Sequence, residues 1–268
     1  MRKACLAVAL LAALPTASRA FELLPEDPYH DAGGGAPVAA TVDVYPFVES
    51  HAWEEVSLGL RTSEDKGEVY GAGAQATFES GAAVYRLKGE YFQGTLDSKG
   101  VSSGVSWTTE AQMHGFRLEG DLGSRFRSGP VSFVPNVGFG YRWWRRDYRS
   151  SPTVIGLKEE WQTGNAKAGI LAEFEAGRAV VFHLEAAGRY GVFASNEIMF
   201  NGSRVRMEPG GRVTPYAEAG VKVGIFKGSV YYERLAFEES DPVPASGTVL
   251  VQPEMTADIY GARIGLSF

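Results

Sequence analysis

Val131-Ser132-Phe133-Val134-Pro135-Asn136-Val137-Gly138-Phe139-Gly140-Tyr141-Arg142-Trp143-Trp144 decides how this chain of 268 residues is read. Its odd positions are Val, Phe, Pro, Val, Phe, Tyr and Trp, seven apolar places in a row; its even positions are mostly small or polar. Successive side chains of a strand point to opposite faces, so one face of this segment meets an apolar medium. The alternation recurs. Tyr70, Ala72, Ala74, Ala76 and Phe78 alternate with Gly71, Gly73, Gln75 and Thr77. Val180, Phe182, Leu184, Ala186, Tyr190 and Val192 face away from His183, Glu185 and Arg189, and the C-terminus sets Tyr260, Ala262, Ile264, Leu266 and Phe268 against Gly261, Arg263, Gly265 and Ser267.

Alternation alone fits a soluble sandwich as well as a membrane barrel. The strand ends separate the two. Tyr70 and Phe78, Phe133 and Tyr141, Phe182 and Tyr190, and Tyr260 and Phe268 each lie eight residues apart on the apolar face. At about 3.3 Å per residue and a tilt of roughly 40°, that is about 20 Å, near the spacing of two aromatic girdles around an apolar band of roughly 25 Å. The order flips between strands, as a meander requires, and Phe126 and Phe174 extend the Phe rim. Connections at that rim are tight (Glu79-Ser80-Gly81, Arg127-Ser128-Gly129, Ala176-Gly177, Lys227-Gly228-Ser229). Those opposite are long, roughly 97–105, 149–154, 195–211 and 239–253. The pattern predicts an all-β, antiparallel up-and-down transmembrane barrel of about ten strands. The expected spans are 53–62, 68–79, 82–96, 107–126, 130–147, 155–175, 178–194, 211–226, 228–238 and 254–268. Thr41 to Val48 also has strand propensity, interrupted by Pro46, which leaves eight or twelve strands as alternatives.

Residues 1–20 read as a signal peptide: Arg2 and Lys3, an apolar run from Ala4 to Leu14, and Ser18-Arg19-Ala20 as the cleavage site. Loss of its three cations leaves 23 Lys and Arg against 32 Asp and Glu, a net charge of −9, and removes Cys5, the one cysteine. The mature chain then has neither disulfides nor thiolate chemistry, and its acidity argues against nucleic-acid binding. Residues 21–40, with three prolines and Gly33-Gly34-Gly35, are expected to be a flexible periplasmic segment ahead of a barrel domain at 41–268.

The closing stretch Tyr260-Gly261-Ala262-Arg263-Ile264-Gly265-Leu266-Ser267-Phe268 resembles the terminal strand of bacterial outer-membrane β-barrel proteins, an alternating segment ending in an aromatic residue. Arg263 stands where that pattern usually has glycine. The resemblance covers about residues 53–268 at the level of architecture and assigns no subfamily. It implies a chain of the bacterial outer membrane with a periplasmic N-terminus. It also implies recognition by the outer-membrane assembly machinery through Tyr260, Ile264, Leu266 and Phe268, and outer-membrane lipids and lipopolysaccharide as surroundings.

Inward parity places Arg61, Arg86, Lys88, Arg117, Arg125, Arg142, Lys167, Arg189, Lys222 and Arg263 in the lumen with Glu90, Glu119, Asp121, Glu173, Glu185, Glu218 and Glu233. A ten-stranded barrel has little interior space, so these charges are expected to pair and occlude it. The slight cation excess would favour anions along any residual path. His30, His51, His114 and His183 form no convincing catalytic or metal-ligating set, so neither catalytic residues, metal nor cofactor is expected. The reading is a monomeric barrel with a structural or envelope role or a narrow channel. A barrel enzyme acting on envelope lipids or peptides, or a surface adhesion module built on the long loops, is the alternative.

Overall fold

Ten long antiparallel strands hydrogen-bond in chain order and close on themselves: β1 (Ala39–Ser57), β2 (Leu60–Ser80), β3 (Ala83–Ser102), β4 (Val105–Ser124), β5 (Val131–Tyr148), β6 (Lys158–Glu175), β7 (Val180–Phe200), β8 (Val213–Val223), β9 (Phe226–Ser240) and β10 (Glu254–Ser267). The computed structural model describes residues 38–57, 59–102, 105–150, 156–177, 179–200, 202–245 and 247–268. The expected leader, and the expected tail up to residue 37, lie outside the described residues. β1 pairs with β10 from Asp43↔Ser267 to Val56↔Glu254. Val42 and Phe268 exchange both backbone hydrogen bonds, at 3.0 and 2.9 Å, which extends the seam between β1 and β10 to the tight-turn rim.

Several boundaries differ from the sequence reading, three of them with consequences. β1 begins at Ala39 rather than at residue 53, because Pro46 is tolerated. It stays in register with Ala72 of β2, and the β10 ladder passes over it, from Val44↔Leu266 to Phe47↔Arg263. The expected first strand at 53–62 runs across a turn at Gly59, whose φ is 76°. The parity of Arg61 is therefore wrong: it lies exposed at the long-loop rim, 3.0 Å from Glu54 and 3.4 Å from Glu64, and not in the lumen. The last tight turn falls at Gly224-Ile225 rather than at 227–229, because Gly224 carries the positive φ (60°) while Gly228 sits in the ladder.

Strands of 18–21 residues are the rule. At about 3.3 Å rise and roughly 40° tilt, such strands reach about 50 Å, twice the apolar band. The surplus shows in the side chains, which exchange faces halfway up. In β3 the outward residues are Tyr85, Leu87 and Tyr91, then Gln93, Thr95, Asp97 and Lys99; the inward ones are Arg86, Lys88 and Glu90, then Phe92 and Leu96. In β10, outward Phe268, Leu266, Ile264 and Tyr260 give way to Asp258 and Thr256, while inward Arg263 gives way to Ile259, Ala257 and Met255. Near the tight-turn rim the barrel is therefore greasy outside and polar inside; toward the long-loop rim it is polar outside and greasy inside. On β2 the apolar-out portion is 70–78.

Candidate functional site in the barrel lumen

The lower lumen holds ten cations and ten acids among the described residues, so the expected cation excess is absent. Arg61 has left the set. Asp43, Glu49, Glu79 and Lys227, which the sequence reading left out, have joined it. At the tight-turn rim Arg125 reaches Glu79 (2.7 Å) and, with Ser132, Glu173; Lys227 meets Asp43 at 2.6 Å, and Lys222 donates to Ser267 Oγ at 2.8 Å. One tier up, Arg86 bridges Asp121 and Glu185, both at 2.8 Å. Lys167 reaches Glu119, Asp121 and Glu185 at 2.9, 3.1 and 2.8 Å, and Lys88 lies 3.9 Å from Glu119.

The next tier is a ring of guanidinium–carboxylate links. Arg189 joins Glu119 (2.5 Å) and Glu233, and Arg142 joins Glu233 at 2.5 Å. Arg263 joins Glu218 (2.6 Å) and Glu90 (3.2 Å), and Arg117 joins Glu49 (2.5 Å) and Glu90. Tyrosines fill the gaps. Tyr45 donates to Glu90 at 2.9 Å, Tyr216 donates to Glu218 and Tyr231 to Glu49, while Arg263 lies over the Tyr231 ring at 3.7 Å and Arg189 over Tyr216 at 4.3 Å. Glycine makes room for the rings: a Cβ on Gly261 would fall 2.2 Å from Tyr231 Cζ. Two voids among these residues measure about 20 Å³ each, about one water apiece.

Above the ion pairs lies an apolar plug that sequence reasoning missed. Trp53, Phe92, Leu96, Met113, Trp144, Trp161, Phe237 and Met255 point inward and are buried. Trp144 and Trp161 stack at 5.3 Å with 3° between planes, and Trp53 packs on Trp144 at 5.7 Å. Doublets carry the signal that would have revealed it. Tyr91-Phe92, Trp143-Trp144, Tyr231-Tyr232 and Ile259-Tyr260 each put one bulky residue on either face, where the polarity changes sides. At this junction Trp53 Nε1 donates to His51 Nδ1 (3.2 Å), so His51 Nε2 carries the proton and donates to Glu49 at 2.9 Å.

A second polar tier covers the plug. Arg146 reaches Asp65 at 2.7 Å and Glu159 at 2.6 Å, and Tyr148 donates to Asp65 at 2.9 Å. Parity splits the basic and aromatic stretch from Tyr141 to Arg146: Tyr141, Trp143 and Arg145 look out, and Arg142, Trp144 and Arg146 look in. Over this tier Ile198, Val205, Met207 and Ala245 form a small core that ties the loops after β7 and β9 together. On the outer wall, above the apolar band, Lys66 and Lys99 hold the Glu64 carboxyl down at about 2.

Of the three histidines among the described residues, His51 is buried under the plug, His114 looks outward against Trp143 (ring centroids 5.7 Å apart), and His183 stands 3.6 Å from Glu218 near the tight-turn rim. Among the described residues no group of three His, Cys, Asp or Glu side chains is placed to hold a metal ion.

No protein-family profile matches the chain, and no curated protein matches it in sequence. Solved structures do match in shape. The outer membrane protease OmpT from Escherichia coli superposes with a TM-score of 0.56 at 11% identity, over 89% of this chain and 99% of that one. The transport unit of the autotransporter AIDA-I, also from Escherichia coli, gives 0.45 at 8% identity over 96% and 98%. The translocator domain of NalP from Neisseria meningitidis gives 0.42 at 13% over 95% and 96%. At such identities the likeness is one of fold.

Proposed function

We propose that this chain, which folds as a bacterial outer-membrane β-barrel, is a closed barrel with a structural role in the cell envelope rather than a pore. The tight-turn rim and both chain ends face the periplasm, the long-loop rim faces the exterior, and the barrel works as a monomer surrounded by outer-membrane lipids. The observation that carries the reading is the filling of the lumen by ion-pair tiers below and above a tryptophan plug, with voids of about 20 Å³ between the lower pairs. Ion passage would require breaking buried, paired charges, each break costing several kcal/mol. A hydrolase reading finds little support in His51, which is spent on Glu49 and Trp53 and buried.

Planar-bilayer recording of the purified chain tests the proposal, with insertion checked by the heat-modifiable gel mobility of a folded barrel. The expected trace is silent or shows at most small conductance. Large, stable, porin-like openings would overturn it.

A further inference from the structure

The outer wall of the barrel carries a hollow where β3, β4 and β5 meet. Gly89 and Gly120 both look outward on neighbouring strands, offset by the register Leu87↔Gly120 and Gly89↔Leu118. A Cβ on either would meet nothing closer than one leucine methyl at 3.4 Å, so the glycines leave the wall indented rather than serving close packing. Two adjoining shallow, open depressions result, one bounded by Tyr85, Leu87, Leu122 and Val137 and the other by Leu118, Phe139 and Tyr141. Leu87, Leu118, Val137 and Phe139, all exposed on the wall, form the rim of the hollow.

The hollow runs into a polar shelf. Climbing β4 and β5, the outward register pairs are Leu118↔Tyr141, Phe116↔Trp143 and His114↔Arg145. Phe116 stacks on Trp143 at 5.8 Å, and His114 meets the same indole edge-on at 5.7 Å. Arg145 uses its Nε–H on Asp147 at 2.8 Å; among the described residues its two Nη groups are left for another acceptor. From Gly120 to His114 is six residues, about 15 Å along the membrane normal, a span of the order of one leaflet's hydrocarbon.

We infer that this column is a lipid-binding site: the Gly89–Gly120 hollow takes one acyl chain of a phosphorylated outer-leaflet lipid, whose headgroup rests on His114 and Trp143 with its phosphate at Arg145. The inference rests on the membrane placement proposed above. A concave wall inside the apolar band has to be filled, and hydrocarbon chains are the solvent there. A second copy of the chain fits less well, because a two-fold interface would set hollow against hollow. The guanidinium is the group suited to a phosphate oxygen pair.

The test is native mass spectrometry of the delipidated, folded barrel in detergent, titrated with bisphosphorylated lipid A and, separately, with phosphatidylcholine. The wild type is expected to keep one lipid A adduct at collision energies that strip all others. Gly89→Leu/Gly120→Leu, which fills the hollow with side chains the lipid-facing wall tolerates, is expected to lower that adduct at least about tenfold. Arg145→Gln is expected to weaken lipid A while leaving phosphatidylcholine unchanged. Equal adduct ladders in wild type and glycine variant would overturn the inference, as would a wild-type dimer lost in the variant, which assigns the hollow to self-association. Failure of the membrane reading itself is distinguishable, because the wild type would then give no heat-modifiable band after mixing with vesicles.

Discussion

Arg117→Met isolates the energetics of the lumen. Arg117 lies 9% exposed, bonded to Glu49 and Glu90, 3.2 Å from the Tyr231 hydroxyl and 5.1 Å from the Phe47 ring centroid. Methionine keeps much of the stem's volume and removes the charge. Stripping one partner from a buried ion pair typically costs about 3–5 kcal/mol, since the partner left behind stays desolvated. Here two carboxylates are left, yet Glu49 keeps His51 at 2.9 Å and Glu90 keeps Arg263 at 3.2 Å and Tyr45 at 2.9 Å. Those residual partners put the expected loss near the lower end, about 3 kcal/mol. With a urea slope of about 3 kcal/mol/M, the midpoint should fall by about 1 M. Tryptophan fluorescence of the vesicle-inserted barrel reads the transition, because Trp53, Trp144 and Trp161 are buried together in the plug. Adding Glu49→Gln and Glu90→Gln to Arg117→Met should restore at least half of the loss, because the uncompensated charges go. A single variant whose midpoint stays within about 0.3 M of wild type would show that the ion pairs are not what the lumen's stability depends on.

Trp144→Ala should cost about 3–5 kcal/mol in the same assay, as expected for emptying a fully buried indole, and should leave the bilayer silent because the charged tiers remain. Gly261→Ala should cost about 1–3 kcal/mol by pushing its methyl into the Tyr231 ring, and the penalty should shrink in a Tyr231→Ala background. Because the Glu64 carboxyl in the fold titrates at about 2, below its unfolded value near 4.3, the stability it contributes is complete above about pH 4.3 and is lost as the pH falls toward 2. Lys66→Gln/Lys99→Gln should move that titration, followed by carboxyl carbon NMR, back toward 4.3; an unmoved value would break the assignment to these lysines.

The barrel was legible in the sequence where one physical rule governed a segment without interruption. Between the girdles, alternation with Tyr and Phe eight residues apart fixed both the faces and the direction of β2, β5, β7 and β10. It misled where a second rule cut across the first. Pro46 reads as a strand breaker because it lacks an N–H, but the ladder of β1 to β10 skips that place. Arg61 seemed inward because parity was carried through the positive-φ turn at Gly59. The charged lumen was readable from parity, but the pairing inside it was not. Arg86 and Glu185 are 99 residues apart in the chain, and register alone brings them to 2.8 Å. The tryptophan plug was hidden because one alternation was assumed from rim to rim, whereas beyond the doublets the apolar places move to the other parity.

That change of parity makes the sheet a single hydrogen-bonded fabric worked in two solvents. Below the doublets a substitution is judged by lipid on the outside and by crowded charge within. Above them the same strands obey the rules of an aqueous domain, with an oily centre and a hydrophilic coat. Detergents should therefore grip one half and aqueous denaturants the other. Sequence drift on the outer wall should be wide in the upper storey, where any hydrophilic residue serves, and narrow in the lower one.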